Sequence, residues 1–189
     1  MKLKTILIPA VALFSICLVA AALLAVTNSV TAEKIEAIAA ETEEDARREI
    51  FPDAASFGTP QTQDDVVYAE ALDYKDRLIG YTFTSAAKGY GGDVTVMTGV
   101  LPDGTIAGVE ILDVSDETPG LGQNAKKPEF KAQFVGLSGT IGVSTASKQV
   151  EGGIDALTGA TYTSRGVAEA VNKALALFED ITKGGAQVG

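Results

Sequence analysis

Hydrophobic and polar positions follow three patterns along the chain, and the first is a run of 21 residues, 6–26, without a charged side chain. A helix rises about 1.5 Å per residue, so this run spans about 31 Å, close to the thickness of a bilayer core. We therefore predict a transmembrane helix over 5–27, preceded by a short cytoplasmic N-terminus over 1–4. The tripeptide VTA at 30–32 resembles a cleavage site, so a cleaved signal peptide stays an alternative, although its apolar core is usually shorter.

In the second pattern, apolar residues stand three or four positions apart among charged ones. This spacing predicts an amphipathic helix over 33–50, which ends at the FPDA segment, 51–54. We interpret 28–55 as a stalk helix and linker. It leads into a folded domain over 56–184, and 185–189 is expected to form a flexible tail.

The third pattern is an alternation of apolar and polar residues with a period of two, and it predicts four β-strands. Short turns with glycine, proline or charged residues separate them, so the strands are expected to form an antiparallel meander. The predicted strands cover 66–74, 78–87, 93–101 and 105–115.

The chain after these strands mixes loops with short elements. A Gly/Pro loop over 116–130 leads into a predicted short helix over 129–137 and a predicted strand over 139–147. The last element is an amphipathic helix over 164–183 with a single apolar face. That face carries Val167, Val171, Leu175 and Phe178. The expected fold class is α+β, an antiparallel sheet with packed helices behind one N-terminal transmembrane helix.

Composition excludes several function classes. With 15 basic and 25 acidic residues the net charge is -10, so no nucleic-acid partner is expected, because phosphate contacts need basic clusters. The chain has no histidine, and its one cysteine, Cys17, lies in the predicted membrane span. This excludes a disulfide, a Cys/His zinc site, a cysteine-bound iron–sulfur cluster, a histidine-bound haem and a Ser-His-Asp triad. We expect no metal site, and redox chemistry here requires an organic cofactor.

Charge also predicts the orientation in the membrane. Lys2 and Lys4 precede the apolar run, and the charged residues that follow it, up to Asp45, are mainly acidic. Positive flanks stay in the cytoplasm, so the N-terminus is expected there and the folded domain on the extracytoplasmic side of the cell membrane.

A row of hydroxyl residues, TGATYTS at 158–164, stands before the last predicted helix. Thr163 or Ser164 could cap the helix, a contribution of about 1 kcal/mol, but one cap leaves Thr158 and Thr161 unexplained. The alternative is an anion site, because the first turn of a helix presents free N–H groups and a partial positive charge. Spacing alone leaves both interpretations open.

The segment DALTGATYTS, 155–164, resembles the flavinylation motif of the covalent FMN-binding domain family, an Asp followed by Ser/Thr-Gly-Ala-Thr. The resemblance implies an FMN joined by a phosphoester bond to Thr161, with Asp155 as the leading acid. Thr158 stands where serine is commoner. Two further stretches resemble the family's pocket, the loop ETPGLG at 117–122 and the turn GYGG at 89–92.

With the membrane span, these motifs resemble the family of G subunits of Rnf complexes, which are membrane ferredoxin:NAD oxidoreductases. The C subunit of the sodium-pumping NADH:quinone reductase is a related family with a longer domain. The resemblance implies electron relay in an ion-translocating complex, without independent substrate turnover. It implies other membrane subunits as partners, and a flavin transferase that uses FAD and magnesium for maturation.

The resemblance also implies which residues contact the cofactor. Besides Thr161, they are Thr158, Gly159, Ala160, Thr163, Ser164, Glu117, Thr118, Gly120, Leu121, Gly122, Tyr90 and Gly91. Lys126, Lys127 or Lys148 could supply positive charge to the reduced flavin. Asp155 is either a turn residue or a recognition point for the transferase.

Three alternatives remain at this point. One is a free-standing, membrane-anchored carrier with covalent FMN, and another is the C subunit of a sodium-pumping NADH:quinone reductase. The third is an anchored binding module without redox chemistry, in which the threonines only cap a helix.

Overall fold

The computed structural model describes residues 3–185, and its backbone begins with one long helix, α1, Leu3–Ile50. Residues 1, 2 and 186–189, which belong to the predicted N-terminus and tail, lie outside the described residues. The chain forms two compact units, and the boundary between them lies within α1, between Thr42 and Glu43. Sequence analysis expected a membrane helix and a separate stalk helix, whereas the structure has no break between them.

The polar segment inside α1 stays helical because its hydroxyls bond to the helix itself. Thr27 Oγ1 donates to the Leu23 carbonyl at 2.9 Å, and Thr31 Oγ1 donates to the Thr27 carbonyl at 3.0 Å. Such back-bonding satisfies short polar side chains within a helix. The helix ends at Ile50, where Phe51 precedes a proline that disfavours helical backbone.

The first part of α1 is apolar on every side. Among residues 3–185, it is the one helix long and apolar enough to cross a membrane, with a mean hydropathy of 2.7 in its most apolar window. Its large hydrophobic side chains between Leu7 and Val30 are exposed. An exposed apolar surface of this size is typical of a membrane-associated helix.

Six strands form one antiparallel sheet, which confirms the expected α+β class. They are β1 Ser56–Phe57, β2 Gln61–Gln63, β3 Val66–Leu72, β4 Leu78–Lys88, β5 Asp93–Val100 and β6 Ile106–Asp113. The order is β1-β3-β4-β5-β6, and β2 also pairs with β3. The alternation pattern found the four long strands, but not β1 and β2, which have only two and three residues.

The remaining elements follow the sheet along the chain. They are a 3₁₀ turn Gly122–Lys126, helix α2 Pro128–Lys131, a 3₁₀ turn Ala132–Phe134, strands β7 Val143–Ser144 and β8 Ile154–Asp155, and helix α3 Thr161–Gly185. The predicted helix over 129–137 is shorter in the structure, because the backbone becomes extended at Val135, with a φ of −63° and a ψ of 129°. The predicted strand over 139–147 is wrong except at β7, which pairs in parallel with β8.

Helix α3 covers one face of the sheet with the predicted apolar face. Val167 and Val171 are fully buried there, packed in one cluster with Phe83 of β4. Ser85 Oγ donates to the Ala170 carbonyl at 2.8 Å. A Cβ at Gly166 would lie 2.7 Å from the Lys88 carbonyl oxygen, so the first turns of α3 run close to the end of β4. This contact fixes the position of the α3 N-terminus.

The end of α1 packs against the opposite face of the sheet, at positions where the strands carry glycine. A Cβ at Gly80 would lie 2.7 Å from Phe51 Cε1, and a Cβ at Gly99 would collide with Ile50 Cγ2. Both distances are shorter than real Cβ contacts. These two positions therefore need glycine to leave room for the side chains of Phe51 and Ile50.

Replacing Gly99 with alanine is expected to lower the free energy of unfolding by about 1 kcal/mol, because Ile50 must move out of its seat. Gly108→Ala is the matched control, since its Cβ would make an ordinary contact with Ile50 Cγ1 at 3.5 Å. Urea unfolding of both variants measures the difference. Equal stability of the two variants would contradict the close packing of Ile50 against Gly99.

Candidate functional site

Three loops that carry the sequence motifs meet at a cavity of about 340 Å³. Its volume lies in the range of small-molecule sites. Nine residues line it: Tyr90, Glu117, Thr118, Leu121, Gly122, Gly159, Ala160, Tyr162 and Thr163. They come from the β4–β5 turn, the loop after β6 and the entry to α3, so the fold brings together segments that are distant in sequence.

The Glu117 side chain joins the three segments. Only 2% of the residue is exposed. Its Oε1 accepts the backbone N–H groups of Tyr90 at 2.7 Å and Gly91 at 3.0 Å, and its Oε2 accepts the hydroxyl of Thr163. One carboxylate therefore links the GYGG turn, the ETPGLG loop and the first turn of α3.

Burial and these hydrogen bonds have opposite effects on the pKa of the Glu117 carboxyl. Burial is the largest single effect and would raise the pKa of the carboxyl, but the hydrogen bonds from Thr163, Gly91 and Tyr90 favour the ionised form. Together they hold the pKa of Glu117 below its ordinary value of 4.5. The carboxylate therefore stabilises the fold at neutral pH, and this stabilisation is lost as the pH falls through the lowered pKa.

Glycines make room for this carboxylate. A Cβ at Gly122 would lie 2.5 Å from Glu117 Oε2 and 2.7 Å from Thr163 Oγ1, and a Cβ at Gly89 would collide with Glu117 Oε1. A Cβ at Gly91 would collide with the Asp116 carbonyl oxygen. Packing against Glu117 and Asp116 therefore explains the glycines at 89, 91 and 122, whereas Gly120 serves a turn with a φ of +77°.

The entry to α3 leaves backbone donors free. Within residues 3–185, the N–H groups of Thr161, Tyr162 and Thr163 have no acceptor, and the first helical bond runs from the Ser164 N–H to the Ala160 carbonyl at 3.0 Å. Gly159 has a φ of +76°, which turns the chain into the helix. Free N–H groups and the helix dipole make this turn suitable for an anion.

The capping interpretation of Thr163 and Ser164 is wrong, because α3 begins at Thr161 and both residues lie inside it. The hydroxyl of Thr163 donates to Glu117. Ser164 Oγ accepts the Leu157 N–H at 2.9 Å and donates to the Ala160 carbonyl at 3.0 Å. Ser164 thus holds the loop before the helix in place instead of facing the cavity.

Aromatic side chains stand at the mouth of the cavity. Tyr90 is 71% exposed and Tyr162 is 65% exposed, with ring centroids 6.3 Å apart. Leu121 adds a third exposed apolar side chain. Sequence analysis missed Tyr162, although its place directly after Thr161, on the exposed side of the first helical turn, could have indicated it.

Other predicted residues lie beside the cavity but do not line it. Thr161, half-buried, stands between Ala160 and Tyr162, which do line it, and Thr158 is exposed. Gly120 lies in the turn before Leu121, and the N–H of Gly91 binds Glu117.

The charged residues suggested for tuning or recognition lie elsewhere. Lys126, Lys127 and Lys148 are exposed and do not line the cavity. Asp155 is not a turn residue, since it belongs to β8 and its N–H donates to Gln133 Oε1 at 2.7 Å. Its exposed carboxylate has no hydrogen-bond partner among residues 3–185.

The chemistry of these donors suits a flavin nucleotide. Free N–H groups at the α3 N-terminus can hold a phosphate, and tyrosine and leucine side chains offer apolar surface to a planar ring. In the described part of the chain, no three His, Cys, Asp or Glu residues are grouped so that they could hold a metal ion.

Family models match two regions of the chain. Residues 89–176 match the FMN-binding domain, and residues 1–50 match the RnfG N-terminal region.

Two curated proteins are similar over most of their length. The G subunit of the Na(+)-translocating ferredoxin:NAD(+) oxidoreductase complex of Acetobacterium woodii is 35% identical, and the alignment covers 90% of both chains. The G subunit of the ion-translocating oxidoreductase complex of Methanosarcina acetivorans is 36% identical, over 83% of this chain and 86% of that one.

A solved structure shares the fold. The crystal structure of Shewanella oneidensis NqrC superposes with a TM-score of 0.52 at 23% identity, over 66% of this chain and 67% of that one. This likeness supports the same α+β architecture.

Proposed function

Because this chain belongs to the family of G subunits of the Rnf complexes, we propose that it relays electrons through an FMN attached covalently to Thr161. Membership makes it a redox subunit of an ion-translocating oxidoreductase, with FMN as cofactor and the other Rnf subunits as partners. The site residues, the covalent bond and the membrane orientation are the finer parts of the proposal.

One observation carries the choice of Thr161. Its half-buried side chain starts α3 at the edge of the cavity, next to backbone N–H groups that have no acceptor within residues 3–185. A phosphate on this hydroxyl would lie at the N-terminus of α3, where free N–H groups and the positive end of the helix dipole favour an anion. Thr158 is exposed, and Thr163 and Ser164 already use their hydroxyls in the fold.

Attachment is a phosphoryl transfer that balances with FAD as donor. The Thr161 oxygen forms a bond to the phosphorus of the FMN half, the phosphoanhydride bond of FAD breaks, AMP leaves, and the hydroxyl proton passes to solvent. A flavin transferase with magnesium performs this step. The resulting diester would keep one negative charge, and the N–H groups of Tyr162 and Thr163, which have no acceptor within residues 3–185, would be available to stabilise it.

Once bound, FMN supplies the electron-transfer chemistry, and the chain holds and orients it. Tyr90 and Tyr162 border the mouth of the cavity, where they limit the access of water to the ring. Leu121 offers apolar surface beside them.

The membrane part of the proposal rests on α1. Its apolar part crosses the membrane once, with the N-terminus in the cytoplasm and the FMN domain on the extracytoplasmic side. Covalent attachment then keeps the cofactor on a side where free FMN from the cytoplasm cannot replace it.

The test is the intact mass and in-gel fluorescence of the full chain from hosts with and without an active transferase. The proposal expects a fluorescent band after denaturation and a mass increase of one FMN less one water, both dependent on the transferase. A dark band of unmodified mass, despite an active transferase, would refute covalent attachment.

Asp155→Ala is expected to lower the fraction of flavinylated chain several-fold without changing the thermal unfolding temperature, because its exposed carboxylate is available to the transferase and its backbone bond remains. Intact mass spectrometry gives the fraction, and Glu151→Ala, another exposed acid nearby, is the control. Normal loading of a folded Asp155→Ala protein would remove the recognition role.

A further inference from the structure

The cavity wall contains an unpaired negative charge. Glu117 lines the cavity, and all its partners in the fold are neutral groups, two backbone N–H groups and one hydroxyl. Within residues 3–185, the ion pairs of the domain do not include it. Glu110 provides the contrast, because Lys131 neutralises its half-buried carboxylate.

We propose that the Glu117 carboxylate lowers the reduction potential of the flavin in this cavity, an inference that rests on the proposed function. This effect on the reduction potential is opposite in sign to that expected from Lys126, Lys127 or Lys148, whose positive charge would raise the potential. None of these lysines lines the cavity. Glu117 is a positioning residue for the three loops, and its charge also acts on the bound ring.

The physical argument concerns the charge that reduction adds. At neutral pH a flavin ring takes up two electrons and one proton, so it gains one negative charge. A fixed carboxylate nearby opposes this gain, and it does so more strongly where protein excludes water from one side. Buried to 98% and held by three donors, Glu117 keeps its charge in place.

Thr163 adds to the effect in the same direction. Its hydroxyl carries one proton, and that proton is donated to Glu117. Thr163 therefore presents only lone pairs to the cavity, which accept hydrogen bonds and do not stabilise added negative charge. A neutral glutamine at 117 removes the charge, and its amide can donate to Thr163 so that the hydroxyl proton turns toward the cavity.

Potentiometric titration of the flavinylated full chain in detergent tests the proposal, with dithionite as electron source. Glu117→Gln is expected to raise the equilibrium constant for reduction by about tenfold, which for a two-electron couple is about 30 mV. The control Glu110→Gln, which removes a carboxylate outside the cavity, should leave the potential at the wild-type value. An unchanged or lower potential in loaded Glu117→Gln protein would overturn the proposal.

A second variant keeps the test decisive if Glu117→Gln does not fold or load. Thr118 lines the cavity with an exposed side chain, so Thr118→Lys places a positive charge at the same wall without disturbing the Glu117 contacts. It should raise the potential relative to Thr118→Gln, and equal potentials would show that charge at this wall does not reach the ring. Wild-type protein that acquires no flavin would overturn both proposals, whereas loaded variants with unchanged potentials would overturn this one alone.

Discussion

Replacing Thr161 with alanine is expected to abolish covalent flavin completely, because the phosphoester needs the hydroxyl oxygen of this residue. The domain should remain folded, since the Thr161 side chain makes no hydrogen bond among residues 3–185 and the helix begins with its backbone. In-gel fluorescence and intact mass should both show unmodified protein, even with saturating transferase.

Neighbouring hydroxyls serve as controls for this result. Thr158→Ala removes an exposed threonine from the same motif and should leave the protein loaded, and Thr161→Ser keeps a hydroxyl and should restore part of the loading. Covalent flavin on the Thr161→Ala chain, at Thr158 or elsewhere, would show that attachment is not specific to this position.

Gly122→Ala is expected to leave the flavin attached to the chain while reducing the burial of its ring in the cavity. Its Cβ would lie 2.5 Å from Glu117 Oε2 and 2.7 Å from Thr163 Oγ1, and these two atoms are bound to each other, so they cannot move apart freely. We expect the free energy of unfolding to fall by about 1–3 kcal/mol. Thr161 is unchanged, so the flavin should still be attached but exposed to solvent.

Denaturant unfolding and iodide quenching of flavin fluorescence measure these two effects. Quenching should be stronger in Gly122→Ala than in wild type, while the intact mass stays that of the loaded chain. Gly58→Ala is the matched control, because its Cβ would make an ordinary contact 3.5 Å from Glu70 Cβ. Equal quenching and stability in both variants would show that the contacts around Glu117 do not shape the flavin pocket.

Local patterns were sufficient to predict the four long strands of the sheet and the last helix. Alternation identified β3 to β6, although β5 is buried on both faces from Val96 to Val100. Helical spacing identified the buried face of α3, where Val167 and Val171 belong to the same hydrophobic cluster as Phe83. These signals come from neighbouring residues and need no knowledge of the rest of the fold.

The site was predictable only in part. Motifs brought Glu117 and Thr163 into the list of site residues, but their mutual hydrogen bond spans 46 positions and leaves no local signal. Ser164 was expected to cap the helix or contact the cofactor, whereas its hydroxyl binds Leu157 and Ala160, seven and four positions away. The conformation of the loop before α3 places these partners, and the residue types alone do not predict it.

The hydrogen bonds by which Glu117 links three segments also limit how this flavin site could be transplanted into another protein. A peptide with the TGATYTS segment carries the attachment hydroxyl and Thr163, but Glu117, which binds Thr163 in the pocket wall, lies 46 positions away, and Tyr90 lies another 27 positions before Glu117. A graft of the helix entry alone would yield a tethered, solvent-exposed flavin. A working electron carrier requires all three loops to be moved together, on a scaffold that holds them at the same separations.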